Sequence, residues 1–252
     1  MEEKNAAAYA AEFVGTFLLV MFIGLILSSN NPAGLGFTDF AVIGLLHAFL
    51  LMMLVATLGG TSGAHFNPAI SVTLAAVRRI SWVDAAIYIF LQLLGAIAGA
   101  LVVKLVVAAP ADAVNYGAPA LNDKFVSTKG AGFACELIGT FALMWAVMGT
   151  AVNPNAPKGV AGIAIGGTLG FAVMVFGPAT GGSFNPARWF GPALTSGTWT
   201  DGWMYIVAPI IGAVLSAFVY SWVMESDRRV LPAQTPRRGE SAEPPPPVIP
   251  AD

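Results

Sequence analysis

The sequence predicts an all-α membrane protein, with six transmembrane helices and two re-entrant half-helices in an inverted repeat. Three observations predict it. Of 252 residues, 56% are hydrophobic and only 10% are charged, where a soluble domain carries about 25% charged residues. Six apolar windows are each long enough to cross a bilayer, which takes roughly 20 residues. The second half of the chain also repeats the first: "AEFVGTFLLV" at 11–20 matches "CELIGTFALM" at 135–144, "GAHFNPA" at 63–69 matches "GGSFNPA" at 181–187, and "GAIAGA" at 95–100 matches "GAVLSA" at 212–217. The offsets are 124, 118 and 117 residues, in the same order along the chain.

Residues 1–7 are a short N-terminus, and "MEEKNAAAYA" lacks the basic start and cleavage pattern of a secretory signal. The apolar run behind it is therefore read as a retained first span. Spans are expected at about 8–28, 38–58, 83–107, 132–152, 160–178 and 203–224. An Asn-Pro-Ala at Asn31–Ala33 sits in the polar stretch "SSNNPAGLG" after the first span. No apolar helix continues from it and the second half has no counterpart, so it reads as a turn.

Two further apolar pieces, 67–77 and 185–195, are too short to cross, and each follows the second span of its half. Three spans per half is an odd number, so the second copy enters the membrane from the opposite side, about a pseudo-two-fold axis in the membrane plane. Irregular backbone is tolerated at membrane depth only where protein buries it or it lines a watery cavity. Two half-helices meeting midway satisfy that rule. The organisation is then a first repeat at 8–109, a connecting loop at 110–129 on the outer side, a second repeat at 130–224, and a tail at 225–252. The tail, with its "EPPPPVIP", is expected to be extended and disordered.

Short loops rich in Lys and Arg stay cytoplasmic. Lys4, Arg78, Arg79, Lys158, Arg228, Arg229, Arg237 and Arg238 fall on the side of both termini, and only Lys124 and Lys129 on the other. Both termini are expected in the cytoplasm, and the membrane is expected to be a bacterial inner membrane or a plasma membrane.

A net charge of −2 gives no reason to expect nucleic acid as a partner. One cysteine, Cys135, leaves neither a disulfide framework nor a cysteine metal site within the chain. Two histidines and scattered carboxylates form no metal or nucleophile constellation, so no catalytic residue, metal or cofactor is expected. Inverted repeats place a transport site at their shared interface near the midplane, which argues for a transporter or channel.

Asn is among the best N-cap residues, and Pro suits the first helical position, where a missing N–H costs nothing. Asn67-Pro68-Ala69 and Asn185-Pro186-Ala187 thus start two half-helices. Each helix N-terminus carries roughly half a positive charge, and the inversion aims both at one spot. A pore there is hostile to cations and offers amide donors to a passing molecule. The segments ahead, Gly63, Ala64, His65 and Phe66 and then Gly181, Gly182, Ser183 and Phe184, leave carbonyls as a ladder of acceptors. Arg188 stands out within an apolar stretch, since an arginine at the bilayer centre costs at least about 2.5–3.5 kcal/mol.

"SGAHFNPAIS" at 62–71 and "GGSFNPARWFGPA" at 181–193, with Glu12 and Glu136, resemble the aquaporins of the major intrinsic protein family, and the resemblance covers 8–224. It implies a homotetramer in the lipid bilayer, each subunit a passive channel for water that excludes protons and ions. It also implies that Asn67 and Asn185 meet at the pore centre, and that Glu12 and Glu136 are braces accepting hydrogen bonds from the re-entrant loops. Arg188 matches the family's arginine in a narrow outer constriction. Counting back from the two asparagines gives His47, Val173 and Gly182 as the other filter positions.

A His-Val-Gly-Arg filter departs from strict water channels, which carry Phe, His and a small polar residue or Cys there. It is similar to the tonoplast intrinsic proteins of plants, and implies a wider mouth that admits ammonia, hydrogen peroxide or urea. The other reading of His47 is interhelical glue, worth about 0.6 kcal/mol on average. In the pore it would tune conductance with pH, since histidine titrates near 6.5 when unperturbed. His65 matches the first-loop histidine and is expected to brace that loop. Gly182 occupies the place of a mercury-sensitive cysteine, so weak mercury inhibition is expected. The rival readings are a glycerol facilitator, which usually has Asp where Trp189 follows Arg188, and a membrane junction protein with a low-conductance pore. Ile206, where water channels often have an aromatic, is a second departure.

Overall fold

The computed structural model describes the backbone of residues 4–30 and 38–230. The Asn31–Ala33 motif and the chain beyond Val230 lie outside the described residues. Six helices are long and apolar enough to cross a membrane: α1 (Ala6–Asn30), α2 (Thr38–Ser62), α4 (Trp82–Val106), α6 (Lys129–Val147), α7 (Ala161–Thr180) and α9 (Met204–Val230). A π-helical turn, Met148–Val152, prolongs α6. The half-helices are α3 (Pro68–Ala76) and α8 (Pro186–Ser196), and the loop between α4 and α6 carries the short α5 (Ala108–Asp112) and a 3-10 turn at Asn115–Gly117. α9 continues to Val230, so the first residues assigned to the tail are helical. "ESDRRV" holds no breaker before Pro232.

Without a hydrophobic force between helices in lipid, spans associate by close packing at small residues. A Cβ on Gly95 of α4 would lie 2.4 Å from the Phe13 carbonyl oxygen of α1, and one on Gly212 of α9 would lie 2.2 Å from that of Leu137 on α6. Phe13 and Leu137 are 124 residues apart and occupy equivalent places, so the two crossings are copies of one contact. The halves meet through α2 and α7, where a Cβ on Gly166 would lie 2.5 Å from the Ala48 oxygen and one on Gly170 2.4 Å from the Gly44 oxygen.

The motif "E-x-x-G-T-F" has a physical reading in this packing. Three residues apart, Glu12 and Gly15 share one face of α1. Glu12 reaches the first re-entrant loop, and Gly15 leaves the slot that the Phe66 ring fills, 2.0 Å from where a Cβ would stand. Glu136 and Gly139 do the same for Phe184, at 2.2 Å. Both rings are fully buried.

Candidate pore

Each re-entrant loop is irregular, with Ala64 (φ 52°) and Phe66 (φ 46°) in the first and Gly182 (φ 59°) and Phe184 (φ 52°) in the second all left-handed. Such backbone persists only where its surroundings over-determine it. The glutamates do so. Glu12 accepts from Ser62 Oγ (2.6 Å), His65 N (2.9 Å), Phe66 N (2.7 Å) and Gln92 Nε2 (2.8 Å). Glu136 accepts from Thr180 Oγ1 (2.7 Å), Ser183 N (3.0 Å) and Phe184 N (2.7 Å). Tyr88 and Tyr205 close the roots of the loops, donating to the Ser62 and Thr180 oxygens at 2.8 Å each. His65 braces the first loop from the side: its Nδ1 lies 3.0 Å from Ser71 Oγ and its ring stands edge-on to Tyr88.

The loops deliver the two asparagines to each other. Asn67 caps α3 by accepting from Ala69 N (2.9 Å) and donates through Nδ2 to the Phe184 oxygen (2.9 Å). Asn185 caps α8 by accepting from Ala187 N (2.9 Å) and Arg188 N (3.3 Å), and donates to the Phe66 oxygen (2.8 Å). Pro68 and Pro186 take the first helical positions. An amide nitrogen carries two hydrogens, so each asparagine keeps one donor beyond the cross-link.

Both asparagines line a cavity of about 620 Å³. His47, Gly182 and Arg188 stand on its wall, as do Lys4 and Arg79. The apolar wall is written twice: Leu19 and Ile23 recur as Leu143 and Val147, and Leu51 recurs as Leu169. The copies differ where His47 is answered by Ile165 and Arg188 by Ile70, 118 residues apart in each case. In each of these two pairs one position is polar and its repeat counterpart is apolar.

Arg188 is buried, and its Nη1 donates to the Gly117 oxygen. Its Nε and Nη2 have no protein partner among the described residues. His47 Nδ1 lies 2.7 Å from the Ile43 oxygen. A carbonyl only accepts, so Nδ1 carries the proton of the neutral ring and Nε2 is left as an acceptor.

Several expected site residues stand elsewhere than on the lumen. Val173 is buried beside Gly182, its Cγ2 3.4 Å from where a Cβ there would stand, and it is not among the residues that line the cavity. The carbonyls of Phe66 and Phe184, expected as free rungs of the ladder, each accept from the opposite asparagine. Gly181 (φ 78°) serves as the left-handed cap of α7. Ala69 and Ala187 are fully buried and supply the N–H groups that the asparagines accept. Trp189 faces away from the cavity, stacked on Tyr205 (6.2 Å between centroids) and edge-on to Trp199 (5.7 Å). Ile206 is 40% exposed on the outside of α9.

Sequence reasoning missed the tyrosine pair and the Gly117 oxygen. Tyr88 and Tyr205 each precede the repeated "G-A" glycine by seven residues and were detectable from the repeat. Gly117 has no counterpart and carried no signal. Cys135 is half-buried on α6 and off the cavity wall. Mercuric chloride is therefore expected to leave flux through the wild type and Cys135→Ser equal; strong inhibition that the serine variant escapes would contradict this placement.

The model of the family described as major intrinsic protein matches residues 2–220. The chain is 36% identical over 218 residues to a probable NIP-type aquaporin of Nicotiana alata, covering 86% of this chain and 78% of that one. It is 36% identical over 239 residues to aquaporin AqpM of Methanothermobacter thermautotrophicus, covering 84% and 95%. The fold is shared with the solved aquaglyceroporin from Plasmodium falciparum, with a TM-score of 0.76, 24% identity, and coverage of 89% of this chain and 99% of that one. The likeness to tonoplast intrinsic proteins rested on four filter residues, and these relatives are of other types. A family match across six spans, two half-helices and their paired asparagines makes this chain a member of the major intrinsic protein family, a multi-pass membrane channel and not an enzyme.

Proposed function

We propose that the channel passes water, and through a wide mouth also ammonia, hydrogen peroxide and urea, while excluding protons and ions. The observation that carries this is the asparagine pair, in which each amide has one N–H bound to the opposite loop and one left for the cavity. A water molecule between two donors must accept from both. Its own hydrogens then point away along the pore, in both directions, and a proton cannot be handed through. The converging N-termini of α3 and α8 add a positive potential against cations.

At the mouth, Arg188 offers Nε and Nη2 as fixed donors and His47 an acceptor, which suits small neutral molecules with both kinds of group. Gly182 contributes no side chain, which supports the wider substrate range. Both termini in the cytoplasm of a cell-membrane channel, and assembly as a homotetramer with one pore per subunit, belong to the same proposal. The charge asymmetry of the loops supports the first, and family membership the second.

The test is a proteoliposome panel of water, glycerol, urea, ammonia and hydrogen peroxide with wild type and Arg188→Ala. Wild type is expected to conduct water faster than glycerol, and Arg188→Ala to raise the glycerol-to-water ratio by about tenfold, the effect of one lost charged hydrogen bond. Glycerol outrunning water in the wild type would make the protein a glycerol facilitator. Permeability at the lipid background would favour a junction protein.

A further inference from the structure

We propose that Tyr116, in the outer loop between α4 and α6, is a positioning residue for Arg188 and thereby sets which solutes pass the mouth. The proposal rests on reading Arg188 as the filter residue. Among the described residues, the one protein acceptor of the buried guanidinium is the Gly117 oxygen. That oxygen belongs to the third of three consecutive left-handed residues, Asn115 (φ 50°), Tyr116 (φ 53°) and Gly117 (φ 88°). Glycine adopts such backbone freely and asparagine often, but a tyrosine there is an outlier that something else must hold.

The ring supplies the hold. It is buried at 7% exposure in a small cluster with Val103 and Ala111. Its hydroxyl donates to Asp112 Oδ1 at 3.0 Å, and Lys104 Nζ lies 5.2 Å from its centroid, within cation–π range. Burial and the Asp112 contact push the phenol above its ordinary pKa, so the hydroxyl stays a donor through the physiological range. Lys104 belongs to α4 and Asp112 to α5, so the ring is tied to two elements, and none of the three side chains touches the cavity.

The clamp transmits through the backbone. Gly117 is seated on α1, where a Cβ at 117 would lie 3.2 Å from Gly24 Cα and one at Gly24 would lie 3.3 Å from the Tyr116 oxygen. With the ring pinned on one side and Gly24 on the other, the Gly117 carbonyl has one direction left, toward Arg188. One Nη1–H is thereby fixed, and the layout of the remaining donors in the mouth is fixed with it.

The test measures the glycerol-to-water permeability ratio of proteoliposomes carrying wild type, Tyr116→Phe, Tyr116→Leu, the double variant Lys104→Met/Asp112→Ala, and Arg188→Ala. Tyr116→Leu is expected to move the ratio by about two- to fivefold in the direction of Arg188→Ala, as loss of one cation–π and packing contact would. The double variant moves it the same way, and Tyr116→Phe, which keeps the ring under Lys104, restores most of the wild-type ratio. A merely structural role would lower both fluxes together and leave the ratio unchanged, and that result overturns the proposal. Where Tyr116→Leu yields no folded channel, the double variant, confined to the outer side, decides. If Arg188→Ala moves the ratio and the clamp variants do not, the clamp alone falls; if Arg188→Ala does not move it, the reading of the filter falls as well.

Discussion

Glu136→Ala is expected to abolish the folded channel. The carboxylate is fully buried and satisfies three donors, Thr180 Oγ1, Ser183 N and Phe184 N. Each buried donor left unpaired costs about 1–3 kcal/mol, and a protein of this kind has only about 5–15 kcal/mol to lose. Two of the three sit on the loop that holds the left-handed Gly182 and Phe184. Glutamine is a poor rescue, because its amide nitrogen would face an N–H that needs an acceptor. The readouts are the yield of monodisperse protein in detergent and its thermal midpoint. A Glu136→Ala channel that extracts and conducts like wild type would show that the loop holds itself.

Asn185→Asp is expected to cut water flux by about tenfold or more, the equivalent of one lost donor, and to let protons leak. An ionised carboxylate has no N–H, so both the bond to the Phe66 oxygen and the donor left for the cavity disappear. The converging N-termini of α3 and α8 favour the charged form, which replaces a positive barrier with a negative site. Vesicles loaded with a pH-sensitive dye separate the two effects. Unchanged water flux with no proton leak would remove the asparagine pair from the mechanism.

How much of this was legible in the sequence depends on the repeat. The spans, the half-helices and the glutamate braces are each written twice, and a pattern found at offsets of 117 to 124 residues fixes both copies at once. His47, Gly182 and Arg188, reached by counting, all line the cavity. Counting did less well for Val173. Ile165, Leu169 and Val173 form one stripe of α7 at four-residue spacing, but of the three Ile165 and Leu169 line the cavity, while Val173 lies against Gly182, its Cγ2 3.4 Å from where a Cβ there would stand. Register along a helix does not say which neighbour covers a face. Trp189, expected to bear on the substrate, instead packs its ring into the space that Gly202 leaves, 2.3 Å from where a Cβ there would stand, and off the cavity wall. The Gly117 contact belongs to a loop without periodicity or counterpart, where only the fold shows what meets what.

The central claim is that water crosses at the asparagine pair in a file that protons cannot follow. The most direct measurement is stopped-flow osmotic shrinkage of wild-type proteoliposomes with proton flux recorded in the same vesicles. The account predicts water permeability that rises with the protein-to-lipid ratio while proton flux stays at the lipid background. Water permeability at background, or protons rising in step with water, would contradict it.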